Sequence, residues 1–274
     1  MHADTATAPA GAPPIVPLLG LDFAAVSEQE TINYVLRGIR DGRGGWVCPA
    51  NLDVLRKWRQ SAEVRELMSR ADLVVADGMP LIWAGALQGS RLPERVAGST
   101  LIHSLTEAAA EAGASVFLLG GNPGTADEAT RRLTELSPNL SLAGALCPPF
   151  GFEHQPEWLD RIAQTLQEAG PDIVYVGLGF PKQERLIVEL RTLCPRAWFV
   201  SCGVSFSFVA GEIKRAPRTL QRLGLEWLHR LAQEPERLYR RYLLQGIPFL
   251  FAVLWSALVV RLTPRGVGSP RREP

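Results

Sequence analysis

Residues 172–203 read "DIVYVGLGFPKQERLIVELRTLCPRAWFVSCG". An apolar run rich in Ile, Val and Tyr ends in the glycines Gly177 and Gly179. A segment with the helical spacing Leu186, Ile187, Leu190 follows, and a second apolar run, "AWFVSCG", closes the stretch. Strand, helix, strand at this spacing is a βαβ unit, whose two strands lie parallel in one sheet.

The alternation continues outward from this unit. Upstream, "GWVCPA", "DLVVA", "SVFLLG" and "LSLAGAL" read as strands separated by helix-length segments. Ser27 and Glu30 form a capping box before an amphipathic helix reaching about Arg40. One helix is expected from about Leu52 to Arg70, another from Met79, and another capped by Ser99. The fold expected is an α/β three-layer domain with a mostly parallel sheet over residues 17–211. Residues 1–16, rich in Ala and Pro, read as a disordered lead-in without the basic start and apolar block of a signal peptide.

After Gly211 the pattern changes. Residues 212–245 form a basic, aromatic-studded helical appendage, and Gly246 to Val260 carries no charge. That charge-free run is shorter than the roughly 20 residues a bilayer span needs, so residues 246–262 are expected as an interfacial or re-entrant helix, with a helix buried against the body as the plainer reading. Residues 263–274 read as a disordered tail. The formal net charge of +1 hides an asymmetry, since Lys214–Pro274 carries +8 and the remainder −7. A basic end on an acidic body points to an anionic membrane surface as neighbour. Nucleic acid is the weaker partner, because the basic residues are interleaved with a Leu/Trp/Tyr face.

At 274 residues and 46% hydrophobic the chain can bury a sizeable core. Its cysteines, Cys48, Cys147, Cys194 and Cys202, show no metal-ligand spacing and fit free thiols in a reducing cytoplasm. The histidines are scattered, so no metal site is indicated.

In parallel sheets ligands bind beyond the carboxyl ends of the strands. Here those positions are Asn51, Asp77, the "GGNPG" turn from Gly120, Gly179 and Gly203. Glycines between a strand and a helix let backbone N–H groups approach phosphate oxygens, although such turns are also ordinary loop structure. Asp77 followed by Gly78 is, taken alone, common turn chemistry, and Asp is a good N-cap. Lys182, Gln183 and Glu184 open a helix and offer donors to a phosphate or sugar; a solvated first turn is the plainer reading.

Read together, "NLDVL", "ADGMPLIWAG", "PERVAGSTLI", "VFLLGGNPGTADEA", "PDIVYVGLGFPKQE", "GVSFSFVAGEIKRAP" and "GLEWLHRLAQEPERLYRRYL" resemble, in order, the blocks of the WecG/TagA/CpsF family of bacterial glycosyltransferases. The resemblance covers about Pro17 to Tyr242. It implies a Rossmann-like body with a membrane-associating appendage at the cytoplasmic face. The implied activity is inverting transfer of a sugar, N-acetylmannosamine in the best-known members, from a UDP-sugar to an undecaprenyl-diphosphate-linked acceptor in envelope polysaccharide synthesis. Neither a metal nor another cofactor is expected.

Carried onto this sequence, the resemblance makes Asp77 the general base, Arg95 the partner of the leaving diphosphate, and Gln183 a neighbour of the donor sugar. It suggests that Arg237, Arg240 and Arg241 reach back over the diphosphate or bind the lipid carrier's pyrophosphate. Asn51, Gly78, Gly120, Gly121, Asn122, Gly179 and Lys182 complete the expected substrate contacts. Lys214, Arg215 and Arg218 read as membrane or core-rim charges. Two departures stand out. Pro49 replaces a usual Thr, and Ser99 and Thr100 stand where the family often has an Asp. Both touch the expected sugar pocket and leave a different hexose or hexosamine open. The family is often oligomeric, and the sequence does not set a subunit number. A catalytically silent nucleotide-binding scaffold of envelope enzymes is the competing reading.

Overall fold

The computed structural model describes residues 13–263. A hairpin of β1 (Ile15–Leu18) and β2 (Leu21–Ala24) precedes α1 (Glu28–Arg40), β3 (Gly45–Ala50), α2 (Leu52–Gln60), α3 (Ala62–Met68) and β4 (Leu73–Ala76). Then come α4 (Met79–Gln88), α5 (Gly98–Ala112), β5 (Ser115–Gly120), α6 (Thr125–Leu136), β6 (Ser141–Leu146) and α7 (Pro156–Ala169). The body closes with β7 (Ile173–Gly177), α8 (Lys182–Leu193), β8 (Trp198–Ser201) and α9 (Ser205–Val209).

Strands β3 to β8 form one parallel sheet in the order β4-β3-β8-β7-β5-β6, with helices on both faces, a Rossmann-like α/β architecture. From β4 the chain crosses to the far side to lay down β5 and β6, then returns with β7 and β8 to fill the place beside β3. Val47 is thereby paired with Val200, and the tips of two strands distant in sequence become neighbours.

Local chemistry accounts for most element ends. Ser27 accepts from the Glu30 N–H while the Glu30 carboxylate accepts from the Ser27 N–H at 2.7 Å, the expected capping box. The single helix expected from Leu52 to Arg70 is broken at Ser61, which takes an extended conformation, ends α2, and caps α3 by accepting from the Val64 N–H. Helix α5 starts at Gly98 with Ala97 at its cap rather than Ser99. A Cβ at Gly98 would lie 3.2 Å from the Ser201 carbonyl, so this first turn is pressed onto the tip of β8.

The core lies on both faces of the sheet, with Trp46, Trp198, Tyr175, Phe117 and Phe199 fully buried. Each such side chain contributes roughly 1.5–3 kcal/mol or more relative to an exposed one. Pro49 is tolerated in an interior strand because β3 pairs with β8 only through Val47. The N–H it lacks would face past the end of that ladder.

Ile15 and Val16, expected within the lead-in, pair with Ala24 and Phe23 in the hairpin. Its two-residue turn, Leu19–Gly20, has φ of 51° and 94°, the positive values of a type I′ turn. Residues 1–12 of the expected lead-in and residues 264–274 of the expected tail lie outside the described residues.

The appendage comprises α10 (Arg218–Arg222), α11 (Glu226–Gln233), α12 (Pro235–Tyr239), a π-helical segment over Arg240–Gly246 and α13 (Ile247–Leu262). The expected apolar helix is therefore the end of one continuous helix, Pro235–Leu262, of 28 residues. By length and composition that helix is sufficient to cross a bilayer. One side of α13 buries Val253 and Ala257, and near its end Arg261 donates to the Leu87 carbonyl of α4 at 3.3 Å. The opposite side exposes Phe251, Trp255 and Leu262.

Candidate active site

A cavity of about 390 Å³ opens at the carboxyl ends of β4, β3, β8 and β7, roofed by the appendage. This is within the range of small-ligand pockets. Its polar wall includes Asn51, Asp77, Arg95, Gln183, Glu184, Ser201, Glu226 and Arg230. Its apolar wall includes Met79, Trp83, Trp227, Tyr242, Ile247 and Leu250.

Asp77 is held by its backbone, whose N–H donates to the Ala50 carbonyl at 2.9 Å. Gly78, at φ 151°, then turns the chain into α4 and is itself the cap residue, with no side-chain hydrogen bond. The Asp77 carboxylate is thus not spent on capping α4. Burial pushes its pKa up to about 6, opposed by Arg95, Arg230 and Arg215 and assisted by the negative charge of Glu226. A carboxylate with this balance is poised to accept a proton near neutrality.

The cationic side is built from both parts of the chain. Arg95 Nη1 donates to Glu226 Oε2 at 2.9 Å, and both side chains are mostly buried. Arg230 stacks over Phe208 at 5.5 Å and leaves its Nε unpartnered. Arg215 donates to the Ser99 carbonyl at 3.2 Å and to Thr100 Oγ1 at 2.5 Å. Of the two readings for Arg215, a membrane charge or a core-rim charge, the contacts fit the second. Arg215 is partly buried, its pKa is lowered chiefly by that burial, and it stands close enough to Asp77 to act on it. The residues that replace the family's usual Asp are the ones it grips.

Asn51 caps α2, its Oδ1 accepting from the N–H groups of Asp53 and Val54 at 3.0 and 3.2 Å. Its Nδ2 remains available for the cavity it lines. Asp53 is surrounded by Arg56, Lys57 and Arg241, at 2.7, 3.4 and 3.1 Å. Burial opposes its ionisation, yet these cations together hold its pKa below the usual value. The Arg241 contact is an ion pair too oblique to be a hydrogen bond, and it ties the appendage to the body. Gln183 and Glu184 are 5% and 1% exposed. This first helical turn is buried rather than solvated. Burial pushes the Glu184 pKa up to about 7, against its hydrogen bond from Gln183.

The structure divides the expected site residues. Asn51, Asp77, Gly78, Arg95, Gly179, Gln183, Arg237 and Arg241 line the cavity. Gly120, Gly121, Asn122, Lys182 and Arg240 are not among its lining residues. The glycine turn after β5 sits farther along the sheet and packs tightly. A Cβ at Gly120 would lie 2.7 Å from the Gly177 carbonyl, and the φ of 108° also selects glycine. Asn122 lies beside Glu212 and helps to favour its ionised form. Lys182 turns outward to Glu153 at 2.6 Å and over the Phe152 ring. Arg240 is exposed. Glu226, Arg230, Ser201, Trp83 and Trp227 belong to the cavity without any local pattern that announces them.

A parallel-sheet body whose strand tips open into a cavity, with a carboxylate facing several arginines, has the makings of a site for an anionic ligand. Residues 16–262 match the sequence model of the Glycosyl transferase WecG/TagA/CpsF family, and the chain belongs to that family. Among its relatives is the N-acetylglucosaminyldiphosphoundecaprenol N-acetyl-beta-D-mannosaminyltransferase of Bacillus spizizenii (strain ATCC 23059 / NRRL B-14472 / W23). The two are 32% identical over 241 residues, covering 87% of this chain and 90% of the relative.

Proposed function

We propose that this glycosyltransferase moves N-acetylmannosamine, or a related hexose or hexosamine, from a UDP-sugar to an undecaprenyl-diphosphate-linked acceptor, with inversion and without a metal. The observation that carries the reading is the Asp77 carboxylate, held at the tip of β4, left free by the Gly78 cap, and facing Arg95 and Arg230 across the cavity. The relative's name supplies the sugar and the lipid-linked acceptor.

In this reading Asp77 takes the proton from the acceptor hydroxyl as that oxygen bonds to the anomeric carbon. The bond from the anomeric carbon to the diphosphate breaks on the opposite face, and UDP leaves with the electron pair. Arg95 and Arg230 stabilise its growing charge, the service a divalent cation performs in other transferases.

We place the protein at the cytoplasmic face of the cell membrane. Phe251 and Trp255, 67% and 69% exposed, face the lipid, and the basic appendage faces anionic headgroups. Packing of Val253 and Ala257 and the Arg261–Leu87 contact hold α13 against the body, which supports a helix lying along the surface.

The test is UDP release from a panel of UDP-sugars, with a short-chain polyprenyl-diphosphate-linked N-acetylglucosamine acceptor and EDTA present. Release with one sugar that Asp77→Asn abolishes supports the proposal. Undiminished release by that variant refutes the base, and UDP binding without release from any sugar favours a scaffold.

A further inference from the structure

Gln183 and Glu184 form a buried pair in the first turn of α8, and their hydrogen bonds have a direction. The Gly203 N–H donates to Gln183 Oε1 at 3.1 Å, and Gln183 Nε2 donates to Glu184 Oε1 at 2.8 Å. Turning the amide over would set its N–H against the Gly203 N–H and, with Glu184 ionised, its carbonyl against a carboxylate. Both contacts would become repulsive. One Gln183 N–H remains uncommitted, and the side chain lines the cavity.

Glu184 is far from solvent, 1% exposed, and its Oε2 has no hydrogen-bond partner. A buried acceptor left unsatisfied costs roughly 1–3 kcal/mol. An amide at the same position would avoid that charge but could itself donate, so the direction of Gln183 would rest on the Gly203 N–H alone. Three elements face the carboxyl group, through Cys48 of β3, Ser201 of β8 and the ammonium of Lys57 on α2. The Ser201 hydroxyl is engaged by Trp46 Nε1 at 3.0 Å, which ties the pair back to the sheet.

We propose that Glu184 is a positioning residue that locks the Gln183 amide so that it meets the sugar-nucleotide donor as an N–H donor, against an oxygen of the transferred sugar or of its diphosphate. The inference rests on the proposed UDP-sugar transfer. It adds the polarity of the contact and the residue that sets it.

The experiment is a double-mutant cycle in the full-length protein with Gln183→Ala, Glu184→Gln and the combination. It is read by kcat and KM for the active UDP-sugar and by calorimetric binding of UDP and of that UDP-sugar. Gln183→Ala is expected to lower kcat/KM by about tenfold to a hundredfold. Glu184→Gln, which keeps volume and burial, is expected to lower it severalfold alone and to change nothing further on the Gln183→Ala background, because it acts only through the amide. The exchange Gln183→Glu with Glu184→Gln preserves a hydrogen-bonded pair but reverses its polarity; it should melt near wild type and be at least as impaired as Gln183→Ala. Weakened binding of UDP itself places the accepting oxygen on the diphosphate, and weakened binding of the UDP-sugar alone places it on the sugar. A loss from Glu184→Gln that persists in full without Gln183, or an exchange variant as active as wild type, overturns the positioning role. Wild-type protein that neither binds nor consumes any UDP-sugar overturns the proposed function, and this inference with it.

Discussion

Arg95 and Glu226 meet at 2.9 Å across the cavity, one from the loop after α4 and the other from the first turn of α11. Asp77 lies in the field of both. Arg95 favours its ionised form and Glu226 opposes it. As a base, Asp77 acts when ionised, so kcat/KM is expected to rise with pH through about 6 and level off above. Glu226→Gln removes a negative neighbour and should move this acid limb to lower pH. Arg95→Gln should move it higher and also weaken UDP-sugar binding, by about tenfold or more. Rate–pH profiles of the three proteins between about pH 5 and 8 decide it, and limbs that coincide would remove Asp77 from the role.

Asp77→Asn is expected to be inactive yet more stable than wild type at neutral pH. The folded carboxyl titrates near 6 against an ordinary 3.8, so between those values the folded state holds a proton that the unfolded state has lost. Stability from this group is full below the lower value and falls as pH rises through the upper one. The Asn variant escapes that loss, by about 1–3 kcal/mol at pH 8 after allowing for the arginines it leaves unopposed. Denaturant melts at pH 4 and pH 8 test this. An advantage that fails to grow with pH contradicts the buried, raised carboxyl.

Arg241→Ala should loosen the roof. Arg241 spans from the π-helical segment to Asp53 beside the Asn51 cap. The pair is partly exposed, so the stability cost is expected near 1 kcal/mol. The effect on kcat should be larger, about tenfold, because the roof helps close the cavity over the reacting groups. Deleting the chain from Lys214 onward should go further, leaving a body that binds UDP but barely turns over. Full activity in either variant refutes a closing role for the appendage.

Phe251→Glu with Trp255→Glu should abolish sedimentation with anionic vesicles and leave the melting curve almost unchanged, because both side chains project from the outer face of α13. Losing two inserted aromatics and adding two charges predicts at least a hundredfold drop in partitioning. Val253→Glu, on the buried side, should instead destabilise the fold. Equal vesicle binding by the double variant would contradict the membrane-facing reading.

Much of the architecture was legible before any coordinates. All six sheet strands appear where the apolar runs predict them, since strand period and glycine breaks are local properties of the chain. The hairpin was not, because its turn is Leu19–Gly20 and Leu at positive φ carries none of the usual Asn-Gly signal. The break at Ser61 was hidden by an apolar pattern that runs across it.

The candidate site was legible only as a set of strand tips. Gly120, Gly121 and Asn122 looked as apt as Asp77, but β5 lies two places from β8, and their tip does not join the cavity lining. Lys182 and Gln183 are adjacent, yet one helical step of about 100° sends the first to Glu153 and the second into the protein. The resemblance puts Arg240 at the diphosphate and reads Arg215 as a membrane or core-rim charge, yet the packing partly buries Arg215 near Asp77 and leaves Arg240 in solvent.

The sequence by itself determined the alternation of elements, the positions of the strand tips, the basic appendage and the family. Periodicity, turn chemistry and block order all act over a few residues at a time. The tertiary structure alone decided which tips share a cavity, which arginines face Asp77, and how the Gln183 amide is turned. Those depend on β8 entering the sheet beside β3 and on the appendage folding back over both, contacts that close loops of well over a hundred residues.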